Sequence, residues 1–330
     1  MCPRGGTPGG PLPDDPVMTI ATTGQDVVEE TRAFNARMAR ILGRFPPLHK
    51  IDDVALARSG DGPYPSPPLL AEGRDRTLPG RAGGVPVRVF TPPAVRGVYL
   101  FLHAGGRVVG SAAHQDQQLW DLARGAGVAV VAVDYRLAPE NPHPAAPDDC
   151  EDAARWLVEH ARSEFGTDRL VIGGESSGAE LAVRTLLRLR DTDGSHRAFR
   201  GAYLAYGFYD ASLTPSARSY GEDGPLLTTP VIRWMVGHAF PGMSPEELRD
   251  PAVSPLYADL HDLPRARFVV GTRDPALDDT TFMAARWGAA GNETDLEVVA
   301  EAVHGFTMFP IKVAERELER GREFVAGVVG

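Results

Sequence analysis

The run Val128–Val133, VAVVAV, is the strongest constraint in this chain. Six consecutive apolar residues make a strand with no polar face, so both faces must be covered, as they are in parallel sheets. Gly97–Leu102 (GVYLFL), Leu170–Gly173, Gly201–Tyr206, Phe268–Gly271 and Leu296–Val299 read as further strands, and Val85–Phe90 is β-like. Helical patterns lie between them over residues 115–126, 147–163, 177–190 and 279–290. The helix over 147–163 opens on Pro147 and Asp148-Asp149, good first-turn residues. Strands that alternate with helices predict an α/β fold, with a mostly parallel central sheet flanked by helices and right-handed crossovers.

Residues 211–250 break this rhythm with Pro, Gly, Ser and one helical piece over 230–240, which reads as an insertion above the sheet. Residues 25–45 carry Val27, Val28, Phe34, Met38, Ile41 and Leu42 near helical spacing, and Pro46-Pro47 ends that helix. Residues 17–70 and 211–250 are therefore expected to form a helical cap over the strand ends, where open α/β sheets place their sites. The core then falls in two parts, 71–210 and 251–330. The Gly- and Pro-rich residues 1–16 are expected to be disordered, residues 59–68 to form a loop, and Met18 is a second candidate start.

Composition excludes several functions. The formal net charge of -10, from 34 basic and 44 acidic residues, argues against nucleic acid as a main partner. No apolar stretch approaches the length of a membrane span, and the N-terminus lacks the apolar region of a secretory signal. A cytoplasmic protein with a small-molecule partner, monomeric or homodimeric, is expected. Of the two cysteines, Cys2 lies in the tail and Cys150 reads as a buried inert thiol, so no disulfide is expected.

Gly174-Glu175-Ser176-Ser177-Gly178 fits G-x-S-x-G, with a strand before it and a helix after it. A sharp strand-to-helix turn crowds its neighbours, which favours flanking glycines, and pushes the serine hydroxyl into the cleft. Serine attack needs a base, an acid that orients it, and oxyanion donors. Asp274 follows a strand in Gly271-Thr272-Arg273-Asp274, with Asp278 and Asp279 as rivals, either of which could instead cap the following helix. His304 follows the last strand and is the one histidine of nine downstream of Asp274. Upstream, His103-Ala104-Gly105-Gly106 ends another central strand. Its glycines, with Ser177, can aim the N–H groups of Gly105, Gly106 and Ser177 at a substrate oxyanion, while His103 braces the loop. Phe34, Phe208, Tyr209, Trp234, Met235 and Phe306 are candidates to line an apolar pocket, with Phe208 and Phe306 foremost.

Together these residues resemble the hormone-sensitive-lipase-like esterases. His103–Gly106 resembles that family's His-Gly-Gly-Gly motif, Asp134–Glu140 is its DYRLAPE segment unbroken, and Gly174–Gly178 matches its elbow with Glu175 and Ser177 substituted. Gly271–Asp274, His304-Gly305-Phe306 and Ser254–Leu260 match further family segments. The resemblance covers roughly residues 25–325. It implies a capped α/β-hydrolase fold and carboxylic ester hydrolysis with no metal and no cofactor. It also implies Ser176 as nucleophile, Asp274 as acid and His304 as base. Lactone, thioester or amide hydrolysis, or non-hydrolytic small-molecule binding, are the alternatives on this scaffold. Three departures stand out. Ala104 replaces the first glycine of the oxyanion motif, which could reshape the loop. Arg107 replaces an aromatic, and either binds an anionic part of the substrate or points to solvent. Ala179-Glu180 replaces Gly-Asn, and Glu180 is positioned to pair with an arginine that the sequence does not identify.

Overall fold

The apolar runs assemble into one sheet. The computed structural model describes residues 17–20, 24–51, 53–58, 68–222, 224 and 226–330, the first four of them by backbone alone. The expected disordered tail over 1–16, Cys2, and most of the loop over 59–68 lie outside the described residues. Among the described residues the strands are β1 (Val17–Ile20), β2 (Arg74–Gly80), β3 (Gly83–Phe90), β4 (Gly97–Leu102), β5 (Val128–Val133), β6 (Leu170–Glu175), β7 (Phe199–Ala205), β8 (Arg265–Arg273) and β9 (Thr294–Val303). The helices are α1 (Gln25–Leu42), α2 (Val54–Arg58), α3 (Asp116–Ala126), α4 (Ala145–Phe165), α5 (Ser177–Asp193), α6 (Pro215–Ser219), α7 (Thr229–Ala239), α8 (Leu277–Ala289) and α9 (Lys312–Val329).

The sheet order is β1-β9-β8-β7-β6-β4-β5-β3-β2. All neighbours pair in parallel from β1 to β5, and β3 and β2 add an antiparallel edge. Every residue of β4, β5 and β6 is buried, which is why their sequences carry no polar face. Helices α3 and α9 cover one face, and α4, α5 and α8 the other. Residues 17–20, which the sequence assigns to the start of the cap segment, instead pair with β9 and extend the sheet by one parallel strand. The edge strand β2 tolerates Pro79 and mostly exposed side chains because only one neighbour needs its backbone.

Nucleation of the site comes from strand order. The C-terminal ends of β4, β6, β8 and β9 carry His103, Ser176, Asp274 and His304. The cavity above them is walled by residues of 208–211 and 226–253, α7 included, and by residues of α1 and α2. Two carboxylates of α8 tie down the first of these segments and the chain after it. Asp279 Oδ1 accepts the backbone N–H groups of Tyr209 (2.7 Å) and Asp210 (2.9 Å), and its Oδ2 accepts the Thr214 hydroxyl at 2.5 Å. Asp278 Oδ2 accepts the Ser216 N–H at 2.7 Å. The rivals of Asp274 are thus anchors for the overlying chain. Burial pushes the Asp279 carboxyl up to about 7, even though those donors favour its charged form.

Asp279→Ala strands two buried N–H groups at about 1–3 kcal/mol each, so a loss of about 2–5 kcal/mol of stability is expected from chemical denaturation. A loss below about 0.5 kcal/mol, the range of an ordinary surface substitution, would contradict this anchoring role.

Candidate active site

Ser176 joins β6 to α5 with φ 55° and ψ -121°, a left-handed backbone at a non-glycine residue. Its N–H donates to Ala205 O at 2.9 Å. The turn is tight because its glycines touch the neighbouring strand. A Cβ on Gly178 would stand 1.9 Å from Leu102 O, and one on Gly174 would stand 2.4 Å from the same oxygen. The G-x-S-x-G pattern therefore records close approach to β4 as well as the turn itself.

The structure brings the three expected side chains into one hydrogen-bonded chain. His304 Nδ1 lies 2.9 Å and 3.0 Å from the two Asp274 oxygens, and its Nε2 lies 2.9 Å from Ser176 Oγ. A carboxylate can only accept, so Nδ1 carries the proton and Nε2 offers its lone pair to the serine hydroxyl. The Asp274 side chain is fully buried and also accepts the Ala276 N–H at 2.7 Å, which fixes its orientation. Tyr206 packs edge-on against the His304 ring at 5.0 Å, and Phe208 at 5.3 Å. Beneath them Thr307 donates to the buried carboxyl of Glu175 at 3.3 Å, and burial raises that carboxyl.

The loop that carries the expected oxyanion donors follows β4. Gly105 (φ 124°) and Gly106 (φ 62°) both need glycine, and a Cβ on Gly105 would overlap Val109 O at 1.9 Å. Ala104 is not among the residues with positive φ, so the alanine is accommodated without backbone strain. No backbone hydrogen bond consumes the N–H groups of Gly105, Gly106 or Ser177 among the described residues. Ser177 opens α5, whose first N–H groups have no partner within the helix.

His103 supports this loop. Its Nδ1 donates to Ala104 O at 2.7 Å, its ring stacks on Tyr135 at 4.0 Å, and burial pushes the imidazole down to about 4. The Asp134–Glu140 segment holds the loop from outside. Tyr135 donates its hydroxyl to His103 O (2.7 Å), Asp134 accepts the Ala112 N–H (3.0 Å), and Ala138 N–H donates to Arg107 O (2.8 Å). Arg58 of α2 completes the clamp through Val108 O at 2.7 Å and Glu140 at 3.0 Å.

A cavity of about 670 Å³ opens above Ser176 and His304. Phe208 and Met235 line it, together with Met38, Leu42, Leu48, Ile232, Met308 and Phe309, most of which the sequence does not single out. Their distance along the chain left no local signal. Phe306, expected to line the pocket, does not. It is fully buried in the main core against Tyr206, because the turn after His304 points it back toward the sheet. Phe34, Tyr209 and Trp234 also lie off the cavity wall, Phe34 and Tyr209 in the main core and Trp234 against His238. Arg107 does line the cavity, and the solvent-pointing alternative is overturned. Its guanidinium is buried, pairs with Glu180, and lies 4.7 Å from the centre of the Phe240 ring. Glu180 also meets Arg184, which answers which arginines it serves. Cys150 is a buried free thiol. Among the described residues no group of three or more His, Cys, Asp or Glu side chains could hold a metal, and no helix is long and apolar enough to cross a membrane.

An α/β fold with a hydroxyl, an imidazole and a carboxylate hydrogen-bonded at the strand ends defines a serine-hydrolase class of architecture. Residues 99–308 match a family model described as an α/β-hydrolase fold. The chain is 34% identical over 299 residues to carboxylesterase NlhH of Mycobacterium tuberculosis, covering 87% of this chain and 92% of that protein. Among solved structures, a hyperthermophilic esterase of the archaeon Pyrobaculum calidifontis superposes with a TM-score of 0.80 at 26% identity, over 90% of this chain and 98% of that one. An esterase of the bacterial hormone-sensitive lipase family superposes with a TM-score of 0.76 at 28% identity, over 92% and 99%. The chain belongs to the α/β-hydrolase fold family, among the hormone-sensitive-lipase-like carboxylesterases.

The buried neutral His103 has a measurable consequence. As pH falls from about 6.5 to about 4 the unfolded chain takes up this proton and the folded one does not, so stability present above that window is lost through it. Asp279 and Glu317, whose carboxyls burial pushes up to about 7, act in the opposite sense, so the informative quantity is a difference between proteins. In His103→Asn the melting temperature is expected to decline less than in wild type between about pH 7 and about pH 4.5. An equal decline would mean that the imidazole is not held neutral.

Proposed function

We propose that the chain hydrolyses small carboxylic esters through an acyl-enzyme on Ser176. The observation that carries this reading is the continuous hydrogen-bonded chain from Asp274 through His304 to Ser176 at the floor of the cavity. In the first half-reaction Ser176 Oγ attacks the ester carbonyl carbon and its proton passes to His304 Nε2. Asp274 keeps the imidazole oriented and stabilises its charged form. The carbonyl oxygen becomes an oxyanion facing the N–H groups of Gly105, Gly106 and Ser177. The carbon–oxygen bond to the alcohol then breaks, and the alcohol leaves with the His304 proton. In the second half-reaction water attacks the acyl-serine ester, gives its proton to His304, and releases the carboxylic acid while Ser176 recovers its hydrogen.

Residues 24–58 and 208–254 act in this reading as the cap, which covers the strand ends and shapes the pocket. Their side chains Met38, Leu42, Phe208, Ile232 and Met235 make the wall apolar, so the bulk of the substrate is taken up by burial of apolar surface. The same hydroxyl and imidazole, with the unused N–H groups, would serve lactone, thioester or amide carbonyls by the same steps. An intact chain of acid, base and hydroxyl favours turnover over binding alone.

The assignment of the acid separates cleanly in kinetics. Asp274→Ala should lower kcat on p-nitrophenyl acetate by about 10³–10⁴-fold, as expected for loss of the orienting carboxylate. Asp278→Ala, whose carboxylate serves Ser216, should stay within about threefold of wild type, an effect below about 0.7 kcal/mol. The reverse order would mean that Asp274 is not the acid.

A further inference from the structure

Arg107 stands on the cavity wall with most of its hydrogen-bonding capacity unused. Its Nη2 donates to Glu180, and no hydrogen bond reaches Nε or Nη1 among the described residues. The Phe240 ring, 4.7 Å away, fixes the guanidinium but supplies no hydrogen-bond acceptor. The backbone holds it there too, with Arg107 at φ 63° and its carbonyl accepting the Ala138 N–H at 2.8 Å.

Arg107 shares its one ion-pair partner with a second arginine. Glu180, its side chain 1% exposed, is shared with Arg184, whose Nη1 approaches Oε1 at 3.3 Å. Two buried guanidiniums therefore face one carboxylate. Asp210 also lines the cavity, but it makes no ion pair with either guanidinium among the described residues, and its oxygens accept the Ser212 N–H and hydroxyl and the Tyr257 hydroxyl. Arg188 is occupied by Asp148 and Glu151. The guanidiniums also act on their neighbours, beneath the larger effect of burial. Burial pushes His143 down to about 4, with Arg184 and Arg107 adding to the effect. Arg184 is lowered to about 10 by burial, with Arg107 contributing.

A buried cation with free donors on a cavity wall is stabilised by an anion that arrives with the ligand. Guanidinium geometry suits a carboxylate, which can accept two parallel N–H donors. We propose that Arg107 forms a carboxylate subsite and that the substrates are esters carrying a free carboxylate, such as half-esters of short dicarboxylic acids. This rests on the reading of Ser176 as the nucleophile of ester hydrolysis.

The test compares kcat/KM for monoethyl succinate with that for ethyl methyl succinate, and for O-acetylglycolate with its methyl ester, so that the carboxylate sits on the acyl or the alcohol side. The charged member of one pair should be preferred by about 10–100-fold, the factor of one charge-assisted hydrogen bond. Arg107→Met should erase that preference. Glu180→Gln should enlarge it, because it removes the competing carboxylate and leaves both guanidiniums unpaired. That second variant keeps the test decisive if Arg107→Met does not fold. Hydrolysis of the neutral esters with no preference in either pair would overturn the carboxylate subsite alone. A preference that Arg107→Met leaves intact, or that Glu180→Gln diminishes, would also overturn it. Failure to hydrolyse any ester would overturn the esterase reading beneath it.

Discussion

The backbone of Ser176, held at φ 55° and ψ -121° between β6 and α5, is the constraint on which the rest of the site depends. A left-handed turn at a residue with a side chain is strained, and it persists only where its surroundings fix it. Here those surroundings are the carbonyl of Leu102, against which the backbone of Gly174 and Gly178 lies too closely for any Cβ, and the carbonyl of Ala205, which takes the Ser176 N–H. Because β6 lies between β4 and β7, one turn is gripped from both sides. The same grip brings the oxyanion loop, which leaves β4 at Leu102, directly beside the serine. Ser176 and the free N–H groups of Gly105 and Gly106 are thus placed by a single packing contact between adjacent strands.

Around this contact many buried polar groups are fixed by specific partners, while His103 Nε2, Glu175 Oε2, Ser177 Oγ and the Tyr209 hydroxyl are buried without one among the described residues. His103 is kept neutral by burial and donates to Ala104 O. The Asp134–Glu140 segment grips the loop by Tyr135, Asp134 and the backbone of Ala138, while Asp278 and Asp279 of α8 fasten the overlying chain at Ser216 and at Tyr209 and Asp210. Unsatisfied donors remain at Gly105, Gly106 and Ser177 and on the Arg107 guanidinium. An unsatisfied buried polar group is costly, which is why the proposed chemistry and the proposed carboxylate subsite draw on these positions.

The central strands and the reactive residues are readable from sequence because each is dictated locally or by chain order. VAVVAV can only be a strand buried on both faces. Ser176, Asp274 and His304 are found because each follows an apolar strand and the order of strands in the sheet brings their ends together. What sequence hides is what tertiary contact decides. The edge strand β2, RDRTLPG, shows no apolar period because one of its sides meets no neighbour. The side chains of Met38, Leu48 and Met308 become pocket residues only through folding. Phe208 and Phe306 look alike as loop aromatics, yet one faces the cavity and the other the core, since the backbone direction after Tyr206 and after Gly305 differs. One partner of Glu180, Arg107, lies 73 residues away, beyond any periodic signal, while the other, Arg184, stands one helical turn on. Helix α9 did carry a signal, with Val313, Glu317, Gly321 and Val325 buried at helical spacing.

The central claim is that Ser176 is the group that attacks. Reaction of the purified protein with a fluorophosphonate, followed by peptide mass analysis, tests it most directly, since such reagents trap an activated serine at the phosphorus. A single adduct is expected on the peptide containing Ser176, slowed strongly in His304→Ala and absent in Ser176→Ala. Folded protein that stays unlabelled, or Ser176→Ala protein that labels as well as wild type, would contradict it.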